Sequence, residues 1–251
     1  MRSALSVVCH ALDMSVVKDA RARARAEVVV AIKATAAQHL AQTGAAGLSL
    51  RAVARDLGLV SSALYRYFPS RDALLTALIV DAYDAVGEVA ERADAAALAA
   101  GADPGARWLE VCRAVRGWAR ASPHEYALVY GTPVPGYSAP HDTVEAAVRL
   151  SRVMAAVVTA AAADGSLRPP QRPLPGPTLV TDAVAAVAGG APPPPYEDLL
   201  ERSLVLLTAL IGTTSYLQFG HLHLALVDDD AWFDRAMAVA AEGVGLVLPL
   251  D

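Results

Sequence analysis

The chain holds 251 residues, enough for one large domain or two modest ones, and 55% of them are hydrophobic, more than an average soluble protein carries. Most of that excess is alanine and valine, which suits closely packed helices, and only 6% of the chain is aromatic. The net charge is −5, and the two cysteines, Cys9 and Cys112, are too few for a disulfide framework and lack zinc-site spacing, so both are expected to be reduced thiols in a cytoplasm.

In chain order, the opening MRSALSVVCHALD has a short apolar run without the build of a signal sequence. Met14 is a candidate start, and residues 1–14 are expected to be a disordered tail. A first helix is expected over about 15–42, because Ala24, Val28, Ile32, Ala36 and Leu40 recur every four residues and Gly44 closes the run. Arg21, Arg23 and Arg25 near its start either reach a sugar–phosphate backbone or merely solvate the helix end. Residues 48–75, LSLRAVARDLGLVSSALYRYFPSRDALL, then read as two short helices meeting at a tight turn, with a third following at once. Ser49 is placed to cap the first, whose apolar positions are Leu50, Val53, Ala54 and Leu57, and Gly58 supplies the turn. The second, about 61–68, splits into two faces. Leu64 and Phe68 point inward with Ala63 and Tyr67 beside them, while Ser61, Ser62, Tyr65 and Arg66 stand in solvent. Pro69 ends it and Ser70 caps the next helix.

A helix, a turn and a second helix laid in the major groove make the helix-turn-helix geometry. Two serines let the backbone come close, Arg66 reaches a guanine edge or a phosphate, and Tyr65 reaches a phosphate oxygen. The bland alternative is a small helical corner, and the charge distribution argues against it. Residues 1–72 carry ten Lys/Arg against five Asp/Glu, a balance of +5, whereas the remainder carries 11 against 21, a balance of −10. A basic head on an acidic protein is the electrostatic footprint of nucleic-acid binding.

At these residues the chain resembles the TetR/AcrR family of bacterial transcriptional regulators. The family pattern runs through AVARDLGLVSSALYRYFPSRDALL almost without a break, over about 21–83, with Leu64, Tyr65, Phe68, Asp72, Leu74 and Leu75 in the expected places. Further on, YALVYGTPVPGYSAP looks like the C-terminal domain of an actinobacterial-type branch. Val60 departs from the pattern, standing where many members cap the recognition helix with serine or threonine, and Ser61 is expected to take over that cap. The resemblance and the face analysis together point to Arg51, Ser61, Ser62, Ala63, Tyr65, Arg66, Tyr67 and Arg71 as contacts to a double-stranded DNA operator, with Ala63 either against a thymine methyl or simply packed.

The fourth helix, about 71–93, carries Leu74, Leu75, Leu78, Ile79, Ala82 and Val86 on one side and is expected to bolt the head to a second domain. Asp103-Pro104 is a helix start signal, followed by Trp108, Val111, Cys112, Val115 and Trp118 at helical spacing. Ser122-Pro123 repeats the signal and opens a segment that runs through Tyr130. The GTPVPGY that follows is too rich in glycine and proline for helix. A long amphipathic helix is expected over 142–163, with Val148, Val153, Met154 and Val157 among its apolar positions. A loop follows at 169–177, a short apolar helix at 178–188, a stiff extended spacer at 192–195, and final helices at 196–227 and 230–246. No strand-like alternation persists and no internal repeat occurs. The expected fold is all-α, with a helix-turn-helix domain over 15–70 and a helical ligand-binding and dimerisation domain over 71–251.

Residues 203–227 contain no formally charged side chain and are long enough to span a bilayer. However, Thr208, Thr213, Thr214, Ser215, Gln218, His221 and His223 are scattered around that segment, and no excess of Lys/Arg flanks it. A helix buried on most sides fits better, and no membrane partner is expected. In the resembled family the last helices of two subunits form the dimer interface, which implies a homodimer through 196–227 and 230–246. Catalysis finds no foothold. Ser138, His141 and Asp142 are close in sequence only, and neither a nucleophile elbow nor a phosphate-cradling glycine loop appears. His221 and His223 diverge by about 200° on a helix, so neither a metal nor a cofactor is expected. Glu88 and Glu91 read as a solvated face, and Asp228 to Asp230 as a helix cap. For an effector pocket, Trp118, Tyr130, Tyr137, Met154, Tyr216 and Phe219 are the aromatic and soft apolar candidates, with ordinary core packing competing for each. The expected function is a cytoplasmic, ligand-responsive, homodimeric repressor released by a small apolar or amphipathic inducer. The alternative is a small-molecule-binding or enzymatic helical domain whose DNA-binding head is non-selective.

Overall fold

The computed structural model describes residues 19–250, and no strand occurs among them. The expected all-α class is what the chain adopts. The expected tail at 1–14 and Cys9 lie outside the described residues. Two compact units divide the chain, one of Met1–Leu78 with Val134–Tyr137, the other of Ile79–Pro133 with Ser138–Asp251.

The first unit holds α1 (Arg2–Thr43, described from Asp19), α2 (Leu50–Asp56), α3 (Ser61–Leu64) and the opening turns of α4 (Arg71–Ala99). Ile32, Ala36 and Leu40 of α1 are buried, as the four-residue spacing requires, and so are Leu50, Val53 and Ala54 of α2. Ala24, by contrast, is exposed. Gly44 (φ 69°) accepts the left-handed backbone that ends α1.

The second unit is built around α5 (Pro104–Ala121). The Asp103 carboxylate accepts the Ala106 N–H at 2.8 Å, Pro104 occupies the first helical position, and the helix begins there as its sequence signals. Trp108, Val111, Cys112, Val115 and Trp118 form its buried stripe. Around it pack α6 (Pro123–Tyr130), α8 (Arg149–Asp164), α10 (Leu199–Gln218) and α11 (Asp229–Glu242), which contribute Tyr126, Val157, Leu206, Leu210, Phe233 and Met237 to one core. Burial raises the Cys112 thiol well above its ordinary range, leaving it an inert core residue. The Asp228 carboxylate caps α11, accepting from the Asp230 and Ala231 N–H groups at 2.9 Å each.

Several expected helices are shorter or broken. The 142–163 helix divides into a 3-10 turn (His141–Thr143), α7 (Val144–Ala147) and α8, bent by 41° at Val148. The 196–227 helix begins at Leu199 and ends at Gln218, because Gly220 (φ 74°) and Leu224 (φ 63°) adopt left-handed backbone. Between them, α9 is a six-residue helix (Asp182–Val187), shorter than the 178–188 expected. In the opposite direction, α4 continues six residues past the expected Ala93, to Ala99. Among the described residues no single helix is long and apolar enough to cross a membrane. The bent α7–α8 pair meets that criterion by length and composition, but Leu150, Val153, Met154, Val157, Val158 and Ala161 of α8 lie in the core.

Arginine side chains fasten the inside of this unit. Arg107 of α5 is 8% exposed, and it grips Asp94 of α4 through two hydrogen bonds of 2.8 and 3.0 Å. Arg149 of α8 takes both Glu91 carboxylate oxygens (2.8 and 2.7 Å) and Asp84 (2.7 Å), so Glu91 stands on an exposed face as expected but is ion-paired there. That contact needs Gly87, since a Cβ there would lie 2.7 Å from the Arg149 Cβ. Removing one partner of a buried pair strands the other charge, so Asp94→Ala is expected to lower stability by about 3–5 kcal/mol in chemical denaturation. A loss under about 1 kcal/mol would place the pair with ordinary surface ion pairs.

Candidate nucleic-acid interface

Three local features shape the presented face of the first unit. Gly58 (φ 66°) turns the chain between α2 and α3, with the Leu59 N–H bonded to the Ala54 carbonyl at 2.8 Å. Leu64 and Phe68 are buried and anchor the following segment. Ser70 Oγ accepts the Ala73 N–H at 3.0 Å and starts α4. Ser49 and Val60 occupy the N-cap positions of α2 and α3, but neither offers a side-chain cap bond. The recognition segment is regular α-helix only over Ser61–Leu64 and continues to Phe68 in tighter turns, with Arg66 N–H to Ala63 O and Tyr67 N–H to Leu64 O. The expected helix over 61–68 is therefore half as long, though the division of its faces is the expected one.

Ser61, Ser62, Tyr65 and Arg66 are exposed, while Ala63 and Tyr67 are half-buried beside Leu64 and Phe68. Arg51 on α2 is exposed too, and among the described residues neither Arg51 nor Arg66 makes an ion pair. Two uncommitted guanidinium groups flanking a small-residue face suit phosphate or base-edge recognition. Arg71 differs. Its guanidinium donates to the Ala45 carbonyl (2.7 Å) and the Leu48 carbonyl (3.3 Å) and lies 3.3 Å from Asp72, so it ties the start of α4 to the loop before α2.

For Arg25, which the sequence left between a sugar–phosphate contact and a solvated helix end, the structure adds a contact that sequence reasoning missed. The Arg25 guanidinium lies over the Tyr67 ring, 4.9 Å from its centroid, a cation–π contact that holds a basic residue of α1 beside the recognition segment. The two residues are far apart in the chain, and no spacing rule links them. Further along α1, His39 Nε2 and Asp56 Oδ2 are 2.7 Å apart, joining α1 to α2.

The aromatic pocket candidates take several places. Trp118, Tyr130 and Phe219 surround Tyr126, whose hydroxyl donates to the Ile211 carbonyl at 2.9 Å and lies 2.7 Å from Ser215 Oγ. Burial raises the Tyr130 hydroxyl above its usual range. Tyr216 is exposed against His221, and Tyr137 lies 2.9 Å from the Thr76 hydroxyl within the first unit. Met154 alone of the six lines a cavity of about 510 Å³ in the second unit, bounded by α7, α8, α9, residues 188–194 and the start of α10. No group of three metal-capable side chains occurs among the described residues.

The profile of the family described as "Bacterial regulatory proteins, tetR family" matches residues 32–78, and that of "Tetracyclin repressor-like, C-terminal domain" matches residues 108–240, more than half of the chain. The chain belongs to the TetR family. It is a TetR-family transcriptional regulator with a DNA-binding helix-turn-helix. Over 164 residues it is 43% identical to the HTH-type transcriptional regulator Rv1816 of Mycobacterium tuberculosis, covering 64% of this chain and 67% of that one. It also resembles the solved structure of a candidate regulatory protein, SCO4313, with a TM-score of 0.65 and 32% identity, over 88% of this chain and 98% of that chain. A protein of unknown function from Rhodococcus sp. RHA1 matches with a TM-score of 0.64 and 25% identity, over 86% and 95% of the two chains.

The α1–α2 junction of this TetR-family head is expected to respond to pH. The hydrogen bond from His39 holds the Asp56 carboxyl below its ordinary value of 3.8. A lowered folded-state value stabilises the fold above that pH, and the contribution disappears as pH falls through the folded value. Asp56→Asn is expected to lower the melting temperature at pH 7, with the offset from the parent protein shrinking below about pH 4. An offset of equal size at both pH values would exclude the charge as its cause.

Proposed function

We propose that this TetR-family regulator is a ligand-responsive homodimeric repressor. Its recognition segment at 61–68 enters the major groove of a partly palindromic operator, and a small apolar or amphipathic inducer bound in the second unit releases it. The carrying observation is the exposed face of Ser61, Ser62, Tyr65 and Arg66 on a basic head, with Arg51 and Arg66 in no ion pair among the described residues. Arg51, Ser61, Ser62, Ala63, Tyr65, Arg66 and Tyr67 make the DNA contacts, and Arg25 joins them at the backbone. Arg71 positions the head by holding the loop before α2. The head is residues 15–70 and acts in the cytoplasm, and the GTPVPGY segment marks an actinobacterial-type branch, in keeping with the mycobacterial relatives.

Homodimerisation proceeds through α10 and α11. They pack on one another, and Val205, Tyr216 and Val239 are 63%, 56% and 71% exposed on them, apolar area that a monomer leaves in water. A twofold partner brings two recognition segments to half-sites about one helical turn apart. An inducer that binds better to a conformer with mismatched spacing shifts the population off DNA, a coupling of two binding equilibria.

Anisotropy on DNA from upstream of the protein's own gene, against scrambled DNA at two salt concentrations, tests the reading. Selective binding that weakens steeply with salt is expected. Arg66→Ala should cost about 1–3 kcal/mol and relax base preference, and unchanged affinity would remove Arg66 from the interface. Val205→Glu combined with Val239→Glu is expected to shift the sedimenting species from dimer to monomer. A dimer undisturbed by both carboxylates would move the interface elsewhere.

A further inference from the structure

We propose that the cavity between α8, α9 and the first turn of α10 is the effector site and that it takes a neutral, largely aliphatic molecule. The inference deepens, and rests on, the reading of the protein as a ligand-responsive regulator. A volume of about 510 Å³ falls within the range of small-molecule pockets. Branched aliphatic side chains are prominent in its walls, Val144, Val148, Val158, Val184, Val187 and Leu200 among them. No Asp, Glu, Lys, Arg or His lines it, so an ionised ligand would lose its hydration and gain no counter-charge. Ser151, Thr159 and Ser203 add three hydroxyls that make no hydrogen bond among the described residues. They offer partners to one small polar group on an otherwise apolar molecule. None of the five aromatics expected to line a pocket does so; the aromatic that lines this cavity is Tyr196, and its hydroxyl already donates to the Leu167 carbonyl at 2.9 Å.

The condition of α9 points the same way. It packs on α8, yet none of its residues is fully buried, and Val184 and Val187 stay half-exposed where they face the cavity. A short apolar helix in that state lacks the surface that would complete its packing. An aliphatic ligand supplies it, burying both valines against Met154 and Val158.

The test uses full-length protein and the neutral fluorophore N-phenyl-1-naphthylamine, displaced in parallel by 1-decanol and by decanoate at pH 8. Probe binding is expected, with decanol displacing at concentrations at least about tenfold lower than decanoate. Ala155→Trp and Val187→Trp, which fill the cavity from opposite walls, are each expected to weaken probe binding about tenfold or more while the circular dichroism stays native. In the unmutated protein, decanol should slow amide hydrogen exchange across 182–190, which locates the ligand even if neither variant folds. Equal displacement by decanoate would overturn the ligand class. Absence of probe binding, undiminished binding in folded variants, or unchanged exchange across 182–190 would overturn the site. The probe assay contains no DNA, so these failures leave the regulator reading standing. DNA binding without selectivity alongside intact probe binding would instead fail the regulator reading alone.

Discussion

The fixing of α4 by arginine is the constraint on which the rest of this fold depends. Arg71, at the first position of α4, donates to the carbonyls of Ala45 and Leu48. Arg149 reaches in from α8 to Asp84 and Glu91, and Arg107 from α5 to Asp94. A guanidinium fork has fixed geometry and cannot shed its proton, so each contact sets the rotation and register of the helix as well as adding attraction. The hydrogen bond from Arg149 holds the Glu91 carboxyl below its usual range, so both partners stay charged at neutral pH. Gly87 completes the arrangement by leaving its place on the helix surface to the Arg149 stem. A 29-residue helix with these grips is the chain's continuous element from the recognition head into the second unit.

The two units use the same apolar-rich alphabet differently. In the head, a few large side chains such as Ile32, Leu64, Phe68 and Leu74 close a small core, and the remaining surface is free for polar and basic residues. In the second unit, small residues allow close helix approach around α5, while the scarce aromatics concentrate about Tyr126. Among the places where apolar surface is left over are the outward faces of α10 and α11 and the cavity beside α9. Surplus apolar area is costly in water, so a partner or a ligand is the physical expectation at each.

Local signals were legible at several places where one residue determines a backbone feature, although the side-chain caps expected of Ser49 and Ser61 are not made. Asp103 with Pro104, Ser70 and Asp228 start helices through bonds made within three residues of themselves, and Gly58 turns the chain through its own φ. The inward positions Ile32, Ala36, Leu40, Leu64 and Phe68 followed from periodicity, because one face of a helix must find the core. Helix continuity was less legible. The bend at Val148 has no glycine or proline to announce it, and the end of α10 near Gly220 sits within an apolar run that reads as unbroken helix.

By itself the sequence determined the all-α class, the helix-turn-helix and the exposed face of Ser61, Ser62, Tyr65 and Arg66, since each depends on capping, turn chemistry and spacing within a few turns of chain. Only the tertiary structure decided that Arg25 stacks on Tyr67, that Arg71 is held by backbone carbonyls, that Glu91 receives Arg149, and that the cavity is aliphatic with the aromatics packed elsewhere. Those are contacts between residues distant in sequence. Their partners are chosen by how helices pack, and helix packing is a property of the assembled surface that no local pattern carries.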